Sequence, residues 1–577
     1  MTTFRVWAPK PDQVELALGD ERLPMVETGG GWWQVDAPAE PGTDYAFVLD
    51  GGPPRPDPRS RWQPHGVHGP SRLVDDAAFA WTDHDWRGVP LPGSVLYELH
   101  IGTFTQEGTF DAAITRLDHL ADLGVSALEL LPCNAFDGRW GWGYDGVAWY
   151  AVQDAYGGPD GLKRFVDACH ARGIGVVMDV VYNHLGPAGN YLPEFGPYLT
   201  EAHTTPWGPA VNLDQPGSDE VRRHIVDNAL MWLRDYHVDG LRLDAVHALV
   251  DERAVHLLEE LAVAVEALGA QLRKPLWLVA ESDLNDAGMV TSREAGGFGL
   301  DGQWADDVHH ALHALLTGER AGYYGDFGSL PTLAKALTGV FVHDGCWSSF
   351  RGRAHGRPVA PTTPGHRFVV YLQDHDQVGN RATGDRISAS LSDGLLMVGA
   401  ALVLTSPYTP MLWMGEEWGA RTPWRFFSDH EGELGEAVRN GRRAEFGAHG
   451  WDTDDVPDPQ AAETFTSSTL DWAEADDERG ARLLAWTRDL IALRRSRLDL
   501  SDGRRDRVAV SWDEDARWLV VRRGSTAVAC NLAGHRQEVP LPGTPTSVLL
   551  ASEQGFTYRD GFVELDGESV VVLTLTD

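Results

Sequence analysis

The sequence predicts an α/β protein: a (β/α)8 TIM barrel flanked by an N-terminal β-sandwich and a C-terminal antiparallel β-domain. Three observations predict it. Eight apolar stretches recur between residues 91 and 500 with helical segments among them, polar residues follow several of these stretches, and short alternating stretches lie on both sides. Eight strand–helix units over roughly 400 residues are what a TIM barrel with insertions requires. A doubly wound sheet is the weaker alternative, because no glycine-rich phosphate loop follows the first strand.

The N-terminal domain is predicted over residues 1–90 of this 577-residue chain. Apolar residues alternate or cluster between Gly, Pro and Asp breaks at 4–7, 14–18, 32–35 and 45–49, a pattern that is typical of short strands. The stretch 51–70 is too rich in proline for regular structure. These features together favour a small β-sandwich.

The barrel is predicted over residues 91–500, with insertions. Its strands are expected at 95–100, 127–131, 174–179, 240–244, 275–281, 302–306, 366–373 and 410–414, with helices that include 111–123, 158–172 and 252–268. The stretch 174–179 is apolar until its last residue, as a parallel strand buried on both faces should be.

The C-terminal part begins after an irregular, Trp- and Asp-rich stretch at roughly 425–476 and a helix at 479–495. Alternating apolar residues return at 509–510, 518–521, 527–529 and 570–575. We expect an antiparallel β-domain over residues 501–577.

The charge balance narrows the class of partner. The formal net charge is −37, from 48 basic and 85 acidic residues, and such a chain repels phosphate backbones and anionic lipid. We therefore expect neither nucleic acid nor membrane as a partner, although solubility alone explains the charge equally well. The four cysteines form no Cys-x-x-Cys pair and the N-terminus has no signal pattern, so the sequence predicts a cytoplasmic protein.

Four predicted strands run into an acidic residue, and TIM-barrel active sites lie at the carboxyl ends of the strands. These acids are Asp179, Asp244, Glu281 and Asp376. Arg242 lies two residues before Asp244 and thus on the same side of its strand, where it should lower the pKa of Asp244 as a nucleophile requires. Glu281 ends an apolar run, which should raise its pKa as a general acid requires. Two carboxyls in opposed environments are typical of glycoside cleavage, although a structural Arg242–Asp244 ion pair is an open alternative.

Three histidines accompany these acids: His184, His247 and His375. Each could donate a hydrogen bond to a sugar hydroxyl, whereas a lone histidine is more often structural. Asp306, Asp307, His309 and His310 suggest a zinc site, but no His-Glu-x-x-His or comparable spacing is present. We expect neither a metal nor a cofactor.

The strand-end segments resemble the α-amylase superfamily, family thirteen of the glycoside hydrolases. In order they read DVVYNH at 179–184, GLRLDAVH at 240–247, VAE at 279–281 and QDHD at 373–376. The resemblance implies that Asp244 is the nucleophile, Glu281 the acid/base and Asp376 the transition-state stabiliser. It also implies that Tyr144, in WGYDG at 142–146, stacks under the sugar at the cleavage subsite.

Longer segments resemble the malto-oligosyltrehalose trehalohydrolase family within that superfamily. They are RPDPRSR at 55–61, GVHGPS at 66–71, NHLGPAGNY at 183–191, QWADDVHH at 303–310 and QDHDQVGNR at 373–381. A further segment, FRVWAP at 4–9, resembles the N-terminal sandwich that branching and debranching enzymes share. The resemblance to the trehalohydrolase family implies that substrate is bound by Tyr144, His184, Arg242, His247, Asp307, His310, His375, Gln377, Asn380 and Arg381. Asp374 departs from the Asn of many superfamily members, and we expect its added charge to raise the pKa of Asp376.

The activity that the resemblance implies is retaining hydrolysis of the α-1,4 bond next to the terminal trehalose unit of malto-oligosyltrehalose. The enzyme would release α,α-trehalose and a malto-oligosaccharide, and would act after a malto-oligosyltrehalose synthase. Retention requires the carboxyls of Asp244 and Glu281 to lie roughly 5–5.5 Å apart, against about 6.5–9.5 Å for inversion. Two alternatives remain: an α-glucan branching enzyme, which has the same layout, and a non-catalytic glucan-binding protein. The latter is disfavoured because all three carboxylates and Arg242 are present.

Overall fold

A closed parallel barrel of eight strands forms the centre of the molecule in the computed structural model, which describes residues 1–448 and 456–576. The strands, in chain order β1 to β8, are Leu96–Leu99, Ala127–Leu130, Gly175–Val180, Gly240–Leu243, Trp277–Ala280, Gly302–Trp304, Phe368–Tyr371 and Thr409–Trp413. Strand β8 pairs with β1 and closes the barrel. The predicted (β/α)8 barrel is confirmed.

Strands of the barrel are apolar because they are covered on both faces. Every residue of β3 is buried, and the barrel interior is filled by a layer that includes Val177, Val279, Tyr371 and Met411. Parallel strands in register bring their carboxyl ends to one rim. Asp179 near the end of β3 and the acids that follow β4, β5 and β7 are therefore carried to the same side.

Helices surround the barrel, and most lie where the sequence predicts them. They include Phe110–Ile114, Leu117–Leu123, Gly158–His170, Ser218–Asp235, Leu257–Leu272, Asp306–Thr317, Leu330–Gly339, Asp393–Leu404 and Glu478–Ser496. The helix predicted at 111–123 is in fact two helices. Strand β6 ends before the predicted residue 306, because Asp306 already begins a helix.

The prediction of irregular structure at 425–476 was wrong. A helix spans Gly432–Ala448 and a shorter one spans Ala462–Thr466, while residues 449–455 lie outside the described residues. The first helix is built from Glu, Ala and Arg, which are good helix formers, but the glycines scattered through it obscure the pattern.

Antiparallel β-structure lies on both sides of the barrel. N-terminal strands Thr2–Trp7, Val26–Gly29 and Trp32–Ala37 form one sheet; Val14–Leu18, Glu21–Pro24, Asp44–Leu49 and Pro54–Arg55 form another, with Ser71–Arg72 paired to Asp44–Leu49. C-terminal strands Val508–Asp513, Trp518–Arg523, Thr526–Asn531, Ser569–Thr576 and Thr544–Ala551 form a five-stranded sheet; Gln537–Pro540, Phe562–Leu565 and Thr557–Arg559 form a second. Both flanking regions are thus β-structure, as predicted.

Two buried arginines, one on the helix Glu478–Ser496 and one in the C-terminal sheet, bind carbonyls at the end of the helix Asp393–Leu404. Arg494 donates to the carbonyls of Leu404 (2.9 Å) and Ser406 (2.8 Å), and Arg523 donates to those of Thr405 (2.8 Å) and Ser406 (2.7 Å). Burial lowers the pKa of Arg494 to about 9 and that of Arg523 to about 10. We call these residues the carbonyl cage, because the guanidinium groups satisfy carbonyls that a helix leaves free at its carboxyl end.

A buried histidine–aspartate network lies at the opposite, amino-terminal end of the barrel. His170 contacts Asp83 through Nδ1 (2.8 Å) and Asp239, just before β4, through Nε2 (3.0 Å). His237 contacts the same Asp83 oxygen at 2.9 Å, and the Trp86 indole donates to Asp239 at 2.7 Å. This basal network fastens the segment that precedes β1 to the barrel.

No helix within residues 1–448 and 456–576 is both long enough and apolar enough to cross a membrane.

Candidate active site

Arg242 lies at the centre of the rim that the carboxyl ends of the barrel strands form, which we call the carboxyl rim. Its side chain is fully buried, and its Nη1 donates to Asp179 Oδ2 at 2.9 Å and to Asp244 Oδ1 at 2.6 Å. Its Nη2 lies 3.8 Å from Glu281 Oε2. The guanidinium carbon is 4.5 Å from the ring centroid of Trp304. One cation therefore joins β3, β4, β5 and β6, and the predicted Arg242–Asp244 contact is present.

The backbone after Asp244 is strained in a way that serves Glu281. Ala245 has φ of 38°, in the left-handed region that costs a residue with a side chain about 1–3 kcal/mol. In this conformation its N–H donates to Glu281 Oε2 at 2.5 Å, and the N–H of Val246 donates to the Glu281 carbonyl at 3.0 Å. The turn thus fixes the acid on β5 from the neighbouring strand.

Glu281 holds a proton near neutral pH. Burial raises the pKa of Glu281 to about 8 against the opposing effect of Arg242, and the nearby carboxyls of Asp244, Asp306 and Asp376 add to the rise. The side chain is nevertheless 18% exposed, so its carboxyl can meet a ligand. Burial also raises the pKa of Asp179 to about 7. The raised pKa of Glu281 agrees with the expectation from its apolar strand.

Asp376 lies beyond β7, in a short helix, His375–Gly379, rather than on the strand end. Asp374 accepts a hydrogen bond from the N–H of Gln377 (2.7 Å) and so begins this helix. Asp376 is 45% exposed at its side chain and accepts from Asn380 Nδ2 at 3.1 Å.

The buried position of Asp374 disfavours the negative charge that we expected it to add beside Asp376. Burial raises the pKa of Asp374 well above its usual range, and Glu98 and Asp376 raise it further. The effect that we expected Asp374 to have on the pKa of Asp376 stays a prediction.

Tyr144 and His375 form the floor of the site. The Tyr144 hydroxyl lies 2.6 Å from Asp179 Oδ2 and 2.8 Å from His375 Nε2, and the two rings stack with centroids 5.1 Å apart. Gly143 allows the turn, since it has φ of 101° and a Cβ there would lie 2.2 Å from the Pro132 carbonyl. The indole of Trp142 donates to the carbonyl of Arg425 at 2.9 Å and fixes the other end of the turn.

His184 and His247 lie at the edge of the rim. His184 Nε2 lies 3.0 Å from the Tyr144 carbonyl oxygen, and its ring stacks on the half-exposed Trp207 with centroids 4.5 Å apart. His247 is exposed, and its Nδ1 accepts from the N–H of Asp283 at 3.3 Å.

Asp307 is buried and holds a loop. Its Oδ2 accepts from the N–H groups of Val342 (2.7 Å) and His343 (2.9 Å) and from Asn285 Nδ2 (2.9 Å). Its Oδ1 lies 3.9 Å from His310 Nδ1. Asp307 therefore orders the wall of the site around His310.

Gln377 and Arg381 are also bound within the protein. Gln377 accepts from the Tyr323 hydroxyl at 3.0 Å. Arg381 donates to Glu319 and Asp385, each at 2.9 Å. Of the residues that we predicted to bind substrate, Asp307 and Arg381 therefore form hydrogen bonds to other side chains and to the backbone of the protein.

The zinc alternative finds no support in the chemistry of its candidate ligands. Both ring nitrogens of His309 have partners, the Leu372 carbonyl (2.8 Å) and the Tyr324 hydroxyl (3.0 Å). Across residues 1–448 and 456–576, no group of three or more His, Cys, Asp and Glu side chains is placed to hold a metal ion.

Residues that sequence reasoning missed lie inside the barrel. Glu98 on β1 contacts both the backbone and the ring of His375, and Glu129 on β2 pairs in register with Glu98. Glu98 and Glu129 are single acids within otherwise apolar strands. That pattern was visible in the sequence and could have identified them.

Two family models match parts of the chain. The catalytic domain of the α-amylases matches residues 77–197, and a domain of unknown function known as DUF3459 matches residues 503–572.

Relatives match nearly the whole chain. A malto-oligosyltrehalose trehalohydrolase from Arthrobacter ramosus is 60% identical over 85% of this chain and 87% of its own. One from Rhizobium sp. (strain M-11) is 54% identical over 99% and 97%. A crystal structure from Salmonella typhimurium, of a protein provisionally described as an alpha amylase, is 39% identical with a TM-score of 0.90, over 99% of this chain and 97% of its own.

A 1,4-alpha-glucan branching enzyme from Xanthomonas euvesicatoria is 32% identical, but over only 43% of this chain and 37% of its own.

Proposed function

This chain belongs to the malto-oligosyltrehalose trehalohydrolase family, and we propose that it hydrolyses the α-1,4 bond next to the terminal trehalose unit of malto-oligosyltrehalose. The products are α,α-trehalose and a malto-oligosaccharide. The observation that carries the proposal is the site itself: Arg242 contacts Asp244, while Glu281 beside it holds a proton near neutral pH. An anionic carboxylate and a protonated carboxyl on one rim are what retaining glycoside cleavage needs.

In the proposed first step, Asp244 Oδ attacks the anomeric carbon of the glucosyl unit that is linked to trehalose. Glu281 gives its proton to the departing glycosidic oxygen, so that the C–O bond breaks and trehalose leaves as a neutral sugar. The malto-oligosaccharide remains bound to Asp244 as a glycosyl ester. Arg242 supports this step because it holds Asp244 Oδ1 at 2.6 Å and leaves the other oxygen to attack.

In the second step, Glu281, now a carboxylate, takes a proton from water, and the water oxygen attacks the same carbon. The ester bond to Asp244 breaks, the malto-oligosaccharide leaves with retained configuration, and both carboxyls return to their starting states. Asp376 binds ring hydroxyls of the distorted sugar, while Tyr144 lies under it. The carboxyl separation of roughly 5–5.5 Å stays a prediction.

The branching reaction differs only in the second step, where a sugar hydroxyl takes the place of water. The three carboxyls of Asp244, Glu281 and Asp376 do not by themselves distinguish hydrolysis from the branching reaction. The full-length identity with trehalohydrolases, against the partial match to a branching enzyme, favours the hydrolase.

We also propose that the enzyme acts in the cytoplasm, on the product of a malto-oligosyltrehalose synthase. Free thiols support a reducing compartment, since all four cysteines are unpaired and three of them are buried.

The decisive experiment is to incubate the protein separately with malto-oligosyltrehalose and with a plain malto-oligosaccharide of equal length, and to measure free trehalose and new reducing ends. We expect trehalose from the first substrate and slow cleavage of the second. Asp244→Asn should lower kcat by roughly four orders of magnitude or more, because it removes the nucleophile. Faster cleavage of the plain chain, transfer to an acceptor glucan, or an active Asp244→Asn protein would contradict the proposal.

A further inference from the structure

His375 is held from below by an acid that the proposed mechanism does not use. Glu98 accepts from the His375 N–H through Oε2 at 3.0 Å, and its Oε1 lies 2.5 Å from His375 Nδ1. Both side chains are at most 2% exposed. Glu98 lies on β1 and His375 follows β7, so this two-point contact fixes the histidine to the barrel from outside its own loop.

The hydrogen bonds of the Tyr144 hydroxyl determine whether His375 Nε2 carries a hydrogen. Asp179 Oδ2 accepts from Arg242 Nη1 at 2.9 Å, and the Tyr144 hydroxyl lies 2.6 Å from the same oxygen. The hydroxyl has one proton, which it donates to Asp179 Oδ2, an oxygen that already accepts from Arg242. Its oxygen must then accept from His375 Nε2, 2.8 Å away, so Nε2 carries a hydrogen.

The other ring nitrogen of His375 faces an oxygen of Glu98. Glu98 uses one oxygen to accept a backbone N–H, and the second faces His375 Nδ1 at the short distance of a charge-assisted hydrogen bond. With hydrogens on both nitrogens the ring is an imidazolium. Its Nε2 also lies 3.6 Å from Asp376 Oδ1.

We propose that Glu98 is the positioning residue of the cleavage subsite: its carboxylate holds His375 as an imidazolium that fixes the Tyr144 hydroxyl and presents a positive charge to Asp376. The inference rests on the proposed function, in which Asp376 stabilises the transition state. Glu98 itself touches no substrate and acts only through His375.

The charges around His375 agree with this assignment. Burial alone would lower the pKa of His375, but Asp376, Glu98 and Asp374 outweigh it and raise the pKa to about 10. The titratable groups that face the ring from the surrounding elements are Glu98, His100, Glu129, Tyr144, Asp179, Asp374 and Asp376. Trp142, Trp304, Trp413 and Trp424 enclose it.

The chain offers a matched control on the neighbouring strand. Glu129 pairs in register with Glu98 and is equally buried. Burial raises the pKa of Glu129 well above its usual range, with Glu98 adding to the effect. Glu129→Gln and Glu98→Gln make the same change of a buried side chain at constant size, and Glu98→Gln makes it at the carboxyl that contacts His375.

The kinetic test compares the pH dependence of kcat/KM for trehalose release in the wild type, Glu98→Gln and Glu129→Gln. The amide of Gln can accept the His375 backbone N–H and donate to Nδ1, which leaves a neutral ring in the same place. Without the cation 3.6 Å from Asp376, negative charge at this end of the site is less well stabilised, and the acid limb of the profile should move up by about one pH unit. We expect kcat to fall about tenfold or more while KM changes little, because the loss is in the transition state.

Glu129→Gln should retain the wild-type profile. The inference is overturned if Glu98→Gln has the wild-type acid limb, or if both variants shift it equally.

A second measurement needs neither activity nor a variant of Glu98. In wild-type protein with ¹⁵N-labelled histidine rings, the His375 signals can be assigned among the 22 histidines by their loss in His375→Gln. They should remain at imidazolium positions through pH 9, in keeping with a pKa of about 10. A neutral ring at pH 7 would refute the inference even if Glu98→Gln fails to fold. A wild-type protein that releases no trehalose would instead refute the proposed function.

Discussion

At the scale of single residues, the proton on Glu281 links the geometry of the site to its pH dependence. Arg242 favours the carboxylate, whereas burial and three neighbouring carboxyls favour the acid, and the balance raises the pKa to about 8. The protonated form of Glu281, which the proposed mechanism uses as general acid, is therefore present below that pH and lost above it.

We expect kcat/KM for malto-oligosyltrehalose to fall as the pH rises through about 8, because Glu281 then loses the proton that the leaving group needs. The apparent pKa belongs to the interacting set of carboxyls, Asp179 included. Initial rates between pH 5 and pH 10 measure it, and enzyme returned from pH 10 to pH 7 must recover full activity. A profile that stays flat to pH 9.5 would contradict this role for Glu281.

Residue identity was predictable where a polar side chain follows an apolar strand, as at Asp244 and Glu281. It was not predictable where the function depends on the backbone. The left-handed Ala245 donates its N–H to Glu281, and alanine is not a residue that signals this conformation. The contact of Glu98 with His375 joins residues 277 positions apart, which no local pattern can show.

At the scale of elements, the carbonyl cage shows how a helix end can be closed by distant side chains. The helix Asp393–Leu404 has no basic residue in its last turn, and Arg494 and Arg523 replace one from outside. The buried N–H groups of these arginines donate to backbone carbonyls and not to carboxylates. Removal of an arginine would therefore take buried hydrogen-bond donors away from these carbonyls.

We expect Arg523→Met to lower the free energy of unfolding by about 2–3 kcal/mol, because the carbonyls of Thr405 and Ser406 lose buried donors. Turnover should be unchanged. Arg522→Met is the control, since the neighbouring arginine donates to carbonyls near the surface. Urea unfolding followed by fluorescence measures the difference, and equal stability of the two variants would rule out the cage as a stabilising feature.

Elements with a clear period were predicted well, and those interrupted by glycine were not. All eight barrel strands lie within a few residues of their predicted positions, because buried parallel strands are continuous apolar runs. The helix Gly432–Ala448 was missed, since its glycines and charges hide any apolar face.

At the scale of the whole molecule, the basal network couples the N-terminal region to the barrel through titratable groups. Burial alone would lower the pKa of His170, but its hydrogen bonds to Asp239 and Asp83 outweigh burial and raise it. Burial alone would raise the pKa of Asp83, but hydrogen bonds to His170 and His237 hold it below its usual range.

The sign of the pH dependence follows from these shifts. The contribution of His170 is fully present below its unfolded pKa of about 6.5 and is lost as the pH rises through its raised folded value. The contribution of Asp83 is present above about pH 4 and is lost as the pH falls toward its depressed folded pKa. We expect His170→Gln to destabilise the protein more at pH 5.5 than at pH 9.

Thermal unfolding at the two pH values measures this difference, with the exposed His535→Gln as control. A His170→Gln penalty that is the same at both pH values would mean that the network acts through packing alone.

For protein engineering, the position of the basal network means that stability and activity depend on different parts of the barrel. The network lies at the amino-terminal end of the barrel, whereas the carboxyl rim lies at the other end. Substitutions that change stability and substitutions that change the reaction can therefore be made at opposite ends of the same strands. Directed evolution for heat tolerance can therefore randomise the surroundings of Asp83 and His237 without changing the carboxyl rim. Selections for a new acceptor or chain length can work on the rim while the base of the barrel keeps the scaffold folded.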